Sequence, residues 1–302
     1  MISKYDNRAI NILKREQFKK YSINHMNKFT FVIICVLVFN STVNAKEHLS
    51  VKQISISQNI LGVLTERKFL MHLPTNFDFE DAYPVIFFLH GKGGKMGQFP
   101  GILHKFVNRH KFIGIYPQGY LNSWNLGKEP SKANDIYFIA SIVENLEKVQ
   151  KIKSVNYFAV GFSNGGGLVN KLVLETNIFN SVAVLVSQLT EEILNNSNTV
   201  NKTSVLQING LKDKIVPFRG GKTKMGHKFF SALKSIEHWA KLSNCEKYQT
   251  QFDTAFGNKI YEFPNCQKSQ NIMLLEVQKS GHFIPPNTEG NLFKFILNFF
   301  SL

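Results

Sequence analysis

The chain is expected to fold as an open, mostly parallel β-sheet covered by helices on both faces, an α/β architecture. Three observations carry that expectation. Seven short runs are apolar almost throughout, amphipathic stretches separate many of them, and the loops that follow the runs hold residues of unusual chemistry. A strand buried on both faces must be apolar along its whole length, whereas a strand with one wet face alternates.

The first 45 residues stand apart from this pattern. Lys28 precedes the apolar run FTFVIICVLVF (29–39), and small and polar residues then lead to Val43-Asn44-Ala45. A basic start, a short apolar stretch and small residues before a cut describe a cleavable export signal. The run of 11 residues is short of the roughly 20 that a bilayer-spanning helix needs. No stable membrane insertion is therefore expected after cleavage, a retained membrane anchor being the alternative. Met26 offers a second start and a 20-residue signal. The mature chain is expected to be secreted or periplasmic.

Residues 46–302 are expected to make one domain of 257 residues, ordinary for an α/β fold. They carry 29 Lys+Arg against 19 Asp+Glu, a net charge of +10. Such a surface attracts anionic polymers or envelopes at long range. The lysines are scattered and no recognition motif accompanies them, so nucleic acid is not expected as a partner. Cys35 leaves with the signal, so Cys245 and Cys266 remain. An even pair in an exported chain suggests a disulfide, which over a loop of about 20 residues would stabilise the fold by ~3 kcal/mol. Two reduced buried thiols are the alternative. Neither cysteine sits where its thiol would be activated.

The apolar runs are RKFLMHL (67–73), PVIFFLH (84–90), FIGIYPQ (112–118), VNYFAVG (155–161), SVAVLVS (181–187), SVLQING (204–210) and IMLLEVQ (272–278). Helical patterns are read at Asp135 to Lys148, Gly165 to Glu175, Lys228 to Ser243 and Gly290 to Phe300. In a sheet of this kind a ligand site lies beyond the carboxyl ends of the strands. The loops there carry the chemistry.

After the run 155–161 the chain reads Gly161-Phe162-Ser163-Asn164-Gly165 and enters a helical pattern. Glycines two before and two after the serine permit a strand-to-helix turn too tight for side chains, with the hydroxyl held proud of the sheet. A hydroxyl needs a base to take its proton. Of the three histidines that follow, His238 falls mid-helix and His227 lies in a Lys-rich loop, where a solvated ring is expected. His282 follows the run 272–278 and is the expected base. The acid that fixes its tautomer is expected to be Asp213, in the loop after the run 204–210. Glu191, Glu192, Asp253 and Glu262 lie in polar stretches and read as solubility features. The backbone N–H groups of Asn164 and of Lys92, in His90-Gly91-Lys92-Gly93-Gly94, are the expected oxyanion donors.

These segments resemble the secreted α/β-hydrolase esterases grouped as polyhydroxybutyrate depolymerase-like and feruloyl esterase-like proteins. The likeness runs from about Pro84 to Pro285 through FFLHGKGG, YPQG with SWN, NDIYFI, VGFSNGGG, INGLKDKIVPFRGG, HWAKLSNC and SGHFIPP. It implies the α/β-hydrolase fold, with Ser163 as nucleophile, Asp213 as acid, His282 as base and the amides of Lys92 and Asn164 as the oxyanion hole. The chain departs from the family in having Lys92 where cysteine is common, Asn209-Gly210 where His-Gly is common, and Ile284 in place of a tryptophan after the base.

Only 16 residues, Gln188 to Thr203, separate the runs 181–187 and 204–210, too few for a cap domain. The site is expected to be open, suited to polymeric or oligomeric esters, with Tyr120, Trp124, Phe218 and Phe283 as candidate apolar walls. The expected activity is hydrolysis of hydroxyacid esters or of feruloyl or acetyl esters of polysaccharide, with no metal or other cofactor. A fold-only envelope or carbohydrate-binding protein and a serine peptidase are the alternatives.

Overall fold

The computed structural model describes residues 51–194, 203–253, 257–284 and 292–302. The expected export signal and Met26 lie outside the described residues. Among the described residues no helix is long and apolar enough to cross a membrane.

All seven apolar runs enter strands. In chain order the strands are β1 (Val51–Ile60), β2 (Val63–His72), β3 (Ala82–Leu89), β4 (Ile113–Pro117), β5 (Lys153–Phe162), β6 (Ser181–Leu185), β7 (Ser204–Gly210), β8 (Gly221–Lys222), β9 (Lys228–Phe229), β10 (Gln249–Asp253), β11 (Asn258–Phe263) and β12 (Ile272–Val277). Ten of them form one sheet in the order β1-β2-β4-β3-β5-β6-β7-β12-β11-β10, and β8 and β9 pair separately. Neighbours from β4 through β12 run parallel. The two ends of the sheet are antiparallel hairpins.

The reason for the apolar runs is visible along β3. Val85, Phe87 and Leu89 pack into a layer on one face and Ile86 and Phe88 into a layer on the other, all of them buried. The first layer is closed by α2 (Asp135–Lys148), α3 (Asn164–Glu175) and α5 (Ala232–Leu242), through residues such as Phe138, Leu172 and Trp239. The second is closed by α1 (Pro100–His110) and α6 (Leu292–Phe299), through Leu103, Val107 and Ile296. A short helix, α4 (Glu191–Leu194), follows β6. Burying a strand of five large side chains on both faces stabilises the sheet by roughly 1.5–3 kcal/mol per side chain.

Two elements differ from expectation. The helix read from Lys228 begins at Ala232, because Ser231 caps it, its Oγ accepting the Lys234 N–H at 3.2 Å; Lys228 and Phe229 are extended instead and pair with β8. Helix α1 was not expected; Pro100 opens it, where a missing N–H costs nothing. Cys245, just past α5, and Cys266, just past β11, form a disulfide.

Strand β2 carries a buried histidine with a consequence for acid stability. His72 is fully enclosed, its Nδ1 lying 3.1 Å from the Tyr116 hydroxyl and its Nε2 3.5 Å from His104 Nδ1. Burial, and then the neighbouring His104 ring, push its pKa from 6.5 down to about 4. The folded chain therefore holds the ring neutral over a range in which the unfolded chain protonates it. Its contribution is complete above pH 6.5 and is lost as pH falls through 6.5 towards about 4, a loss of up to ~3 kcal/mol. Urea unfolding of His72→Gln should show a flatter pH dependence across that window than wild type; parallel curves would refute the assignment.

Candidate active site

Strand order prepares the site. The chain leaves β3 towards β4 on one side and returns to β5 on the other, so the loops after β3 and β5 diverge at one point of the sheet, with Leu89 and Gly161 in register. Such a switch point opens a crevice at the carboxyl ends of the strands.

Between Phe162, the last residue of β5, and Asn164, the first of α3, Ser163 alone turns the chain. It does so at φ 53° and ψ −115°, a conformation that costs a non-glycine residue about 1–3 kcal/mol. The turn closes because both flanking glycines lack a side chain. A Cβ on Gly161 would meet the Gly165 carbonyl oxygen at 2.4 Å, and one on Gly165 would meet that of Leu89 at 2.3 Å. The Ser163 N–H donates to the Leu185 carbonyl on β6 at 2.9 Å, which pins the turn.

The loops after β7 and β12 bring the other two side chains to this turn. Asp213 is buried, and its Oδ1 accepts the N–H groups of Ile215 at 2.8 Å and Val216 at 2.9 Å. Its Oδ2 lies 2.7 Å from His282 Nδ1, and His282 Nε2 lies 2.9 Å from Ser163 Oγ. An acceptor-only carboxylate at Nδ1 keeps the proton there and leaves the Nε2 lone pair facing the hydroxyl. The two loops are drawn together by backbone bonds: Leu211 N–H to Val277 at 3.0 Å and Lys212 N–H to Ser280 at 2.9 Å. Their contact is so close that a Cβ on Gly210 would sit 2.2 Å from the Gly281 carbonyl oxygen.

A cavity opens beside Ser163, and Lys92 and Asn164 border it. The Asn164 N–H is the first of α3, one of the donors a helix leaves without an internal acceptor. The Lys92 loop is held by Gly93, whose N–H donates to Asn122 at 2.7 Å. Asn164 grips the neighbouring segment in turn, its Oδ1 accepting the Trp124 N–H at 2.7 Å and its Nδ2 donating to the Trp124 carbonyl at 3.0 Å. Beneath them lies His90, whose Nδ1 donates to the Gly91 carbonyl at 2.8 Å while its Nε2 accepts the Gly119 N–H at 3.0 Å. Burial lowers the pKa of His90 and keeps it neutral, the state in which Nε2 can accept. The Asp135 carboxylate anchors the same segment from below, with Arg67 Nη2 at 2.6 Å on one oxygen and the Asn125 N–H at 2.7 Å on the other.

The aromatic side chains named from sequence take other places. Trp124 is fully buried and spends its indole N–H on the His90 carbonyl at 2.8 Å. Phe218 packs on the core, Tyr120 lies beside the Arg67 guanidinium, and Phe283 is 67% exposed. None of the four is among the residues lining the cavity. Its walls come instead from Leu126, Glu129, Val216, Met225, His227 and Phe229. His227, expected to be solvated, is buried and pairs through Nε2 with Glu129 Oε1 at 2.9 Å. Its burial has a cause far away in the chain, since Glu129 belongs to the loop after β4.

No family model matches the chain. In overall structure it is similar to an acetyl xylan esterase from Aspergillus awamori, with a TM-score of 0.62 at 13% identity, covering 83% of this chain and 99% of that one. The chain has the α/β-hydrolase fold. A second α/β-hydrolase neighbour is the poly(3-hydroxybutyrate) depolymerase from Bordetella parapertussis, with a TM-score of 0.51 at 14% identity, covering 78% of this chain and 85% of that one. In sequence the chain is similar to feruloyl esterase B of Piromyces equi, 22% identical over 229 residues, or 72% of this chain and 42% of that protein. It is also similar to the probable feruloyl esterase C of Aspergillus niger, 28% identical over 163 residues, or 51% of this chain and 58% of that protein. The chain thus spans about half the length of these curated relatives.

Proposed function

We propose that the chain is an exported serine carboxylesterase whose single catalytic domain, 46–302, works through Ser163, His282 and Asp213. The observation that carries this reading is the unbroken line of contacts from the Ser163 hydroxyl through His282 to Asp213. In the first half-reaction Ser163 Oγ attacks the ester carbonyl carbon while its proton passes to His282 Nε2. The oxyanion formed is met by the N–H groups of Lys92 and Asn164. Collapse breaks the carbonyl carbon–alkoxide bond, and the alcohol leaves with the proton from Nε2. In the second half-reaction water gives its proton to Nε2, its oxygen attacks the acyl-serine, and the carboxylic acid departs as Ser163 regains its hydrogen. Asp213 stays ionised and stabilises the imidazolium in both halves.

The names of the relatives support carboxylic esters as substrates, and the candidate classes are polyhydroxybutyrate-type hydroxyacid esters or feruloyl or acetyl esters of polysaccharide. Export is supported by the signal pattern at 1–45 and by the Cys245–Cys266 disulfide. A fluorophosphonate probe tests the core of the reading. It should label the purified protein at Ser163 alone, as read by mass spectrometry of the peptide that contains it; an unlabelled protein would leave the binding-protein alternative.

A further inference from the structure

We propose that the buried Glu129–His227 pair sets the acyl specificity of this site, restricting it to short acyl groups. This rests on the esterase reading above and deepens it.

The geometry first assigns the two sides of the ester. The cavity borders Ser163 and the amides of Lys92 and Asn164, and His282 is not among its lining residues. The imidazole must hand its proton to the departing alkoxide, so the alcohol lies on the His282 side. The acyl chain then points away from the imidazole, into the cavity. On the alcohol side Phe283, next to His282, is 67% exposed.

The acyl side is small. Its volume is about 60 Å³, room for roughly four to six water-sized groups. An acetyl to butyryl chain fills it, and an aromatic ring on a propenyl arm would extend beyond it. The far wall is the hairpin made by β8 and β9, which presents His227 and Phe229. Three ties hold that hairpin inward. His227 Nε2 meets Glu129 Oε1 at 2.9 Å, with both side chains less than a tenth exposed. Lys128 Nζ donates to the Gly226 carbonyl at 2.9 Å, and Phe229 forms a backbone bridge with Thr190. Glu129 is itself fixed, because its Oε2 accepts the Leu126 N–H at 2.6 Å. The pair therefore positions the wall. It also makes the wall polar, so a long or aromatic acyl group that pushed the hairpin outward would separate a buried, hydrogen-bonded carboxylate from its partner.

The test is a comparison of kcat/KM for p-nitrophenyl acetate and p-nitrophenyl octanoate, with methyl ferulate as a third substrate. Wild type should favour acetate over octanoate by a factor on the order of 100, and Glu129→Ala should cut that ratio at least about tenfold by releasing the wall. Glu129→Gln should keep most of it, since an amide can accept from the backbone with its oxygen and donate to Nε2 of the opposite tautomer. Lys128→Met removes a tie at the solvent edge of the hairpin together with the Lys128–Glu192 ion pair, and should move the ratio in the same direction as Glu129→Ala even if that variant folds poorly. A wild type that the fluorophosphonate probe does not label would overturn the esterase reading itself. A labelled wild type with near-equal ratios, or with methyl ferulate preferred, would overturn the acyl assignment alone. So would a ratio unmoved in both Glu129→Ala and Lys128→Met.

Discussion

Ser163→Ala is expected to lower the turnover of p-nitrophenyl acetate by a factor on the order of a million, to what binding and the oxyanion donors supply without a nucleophile. The expectation follows from where Ser163 stands. It is held at a left-handed φ of 53° with its Oγ 2.9 Å from His282 Nε2, and among the described residues no other hydroxyl is hydrogen-bonded to that nitrogen. Alanine leaves His282 with a base and no proton to take. The change should not cost stability, since Ser163 donates only its backbone N–H to the fold, to Leu185. A steady-state assay beside a thermal melt checks both halves; retained hydrolysis in a folded variant would rule out the serine mechanism.

Asp213→Asn is expected to cost about 10,000-fold in kcat with little change in KM, through a tautomer rather than through lost contact. Asp213 Oδ1 accepts two backbone N–H groups, from Ile215 and Val216. An asparagine keeps its carbonyl oxygen there, because its amide nitrogen could not accept them. The NH₂ group must then face His282 Nδ1 and donate to it. That moves the imidazole proton to Nε2, pointing at Ser163 Oγ, where a base is needed and a donor stands instead. Nitrogen-15 shifts of the His282 ring would report the exchange directly. An unchanged tautomer together with full activity would remove Asp213 from the mechanism.

How much of this was legible before the fold was seen depended on the range of the interaction. Runs such as PVIFFLH announce themselves because a strand covered on both faces tolerates no polar residue, and β3 is buried at five successive residues from Val85 to Leu89. The strands at the two ends of the sheet, β1, β10 and β11, carried no such signal, since they lie where the sheet meets water and their composition drifts towards that of loops. Strand β9 was hidden inside a helical pattern, although Ser231 stood in the sequence as a helix-start signal. The loops holding Ser163, Asp213 and His282 could be named because each follows an apolar run and each residue type has one chemical use there.

Pairings between distant loops were not legible. His227 looked like a solvated ring among lysines because its partner, Glu129, is 98 residues away. Glu191 and Glu192, read as solubility features, pair with Lys228 and Lys128. Trp124 was legible as a residue of interest but not as a beam under the Lys92 loop, which its bond to the His90 carbonyl makes it. Aromatic residues serve as walls and as struts with the same side chain, and only burial separates the two.

The close passage of Gly210 against the Gly281 carbonyl reaches further than packing. It makes the distance between acid and base a property of two backbones rather than of the two side chains. A saturation scan of the chain scored by turnover should therefore show Gly210, which has no functional group to offer, as intolerant as the residues that carry protons. Read without coordinates, such a scan would enrol a bystander among the chemists.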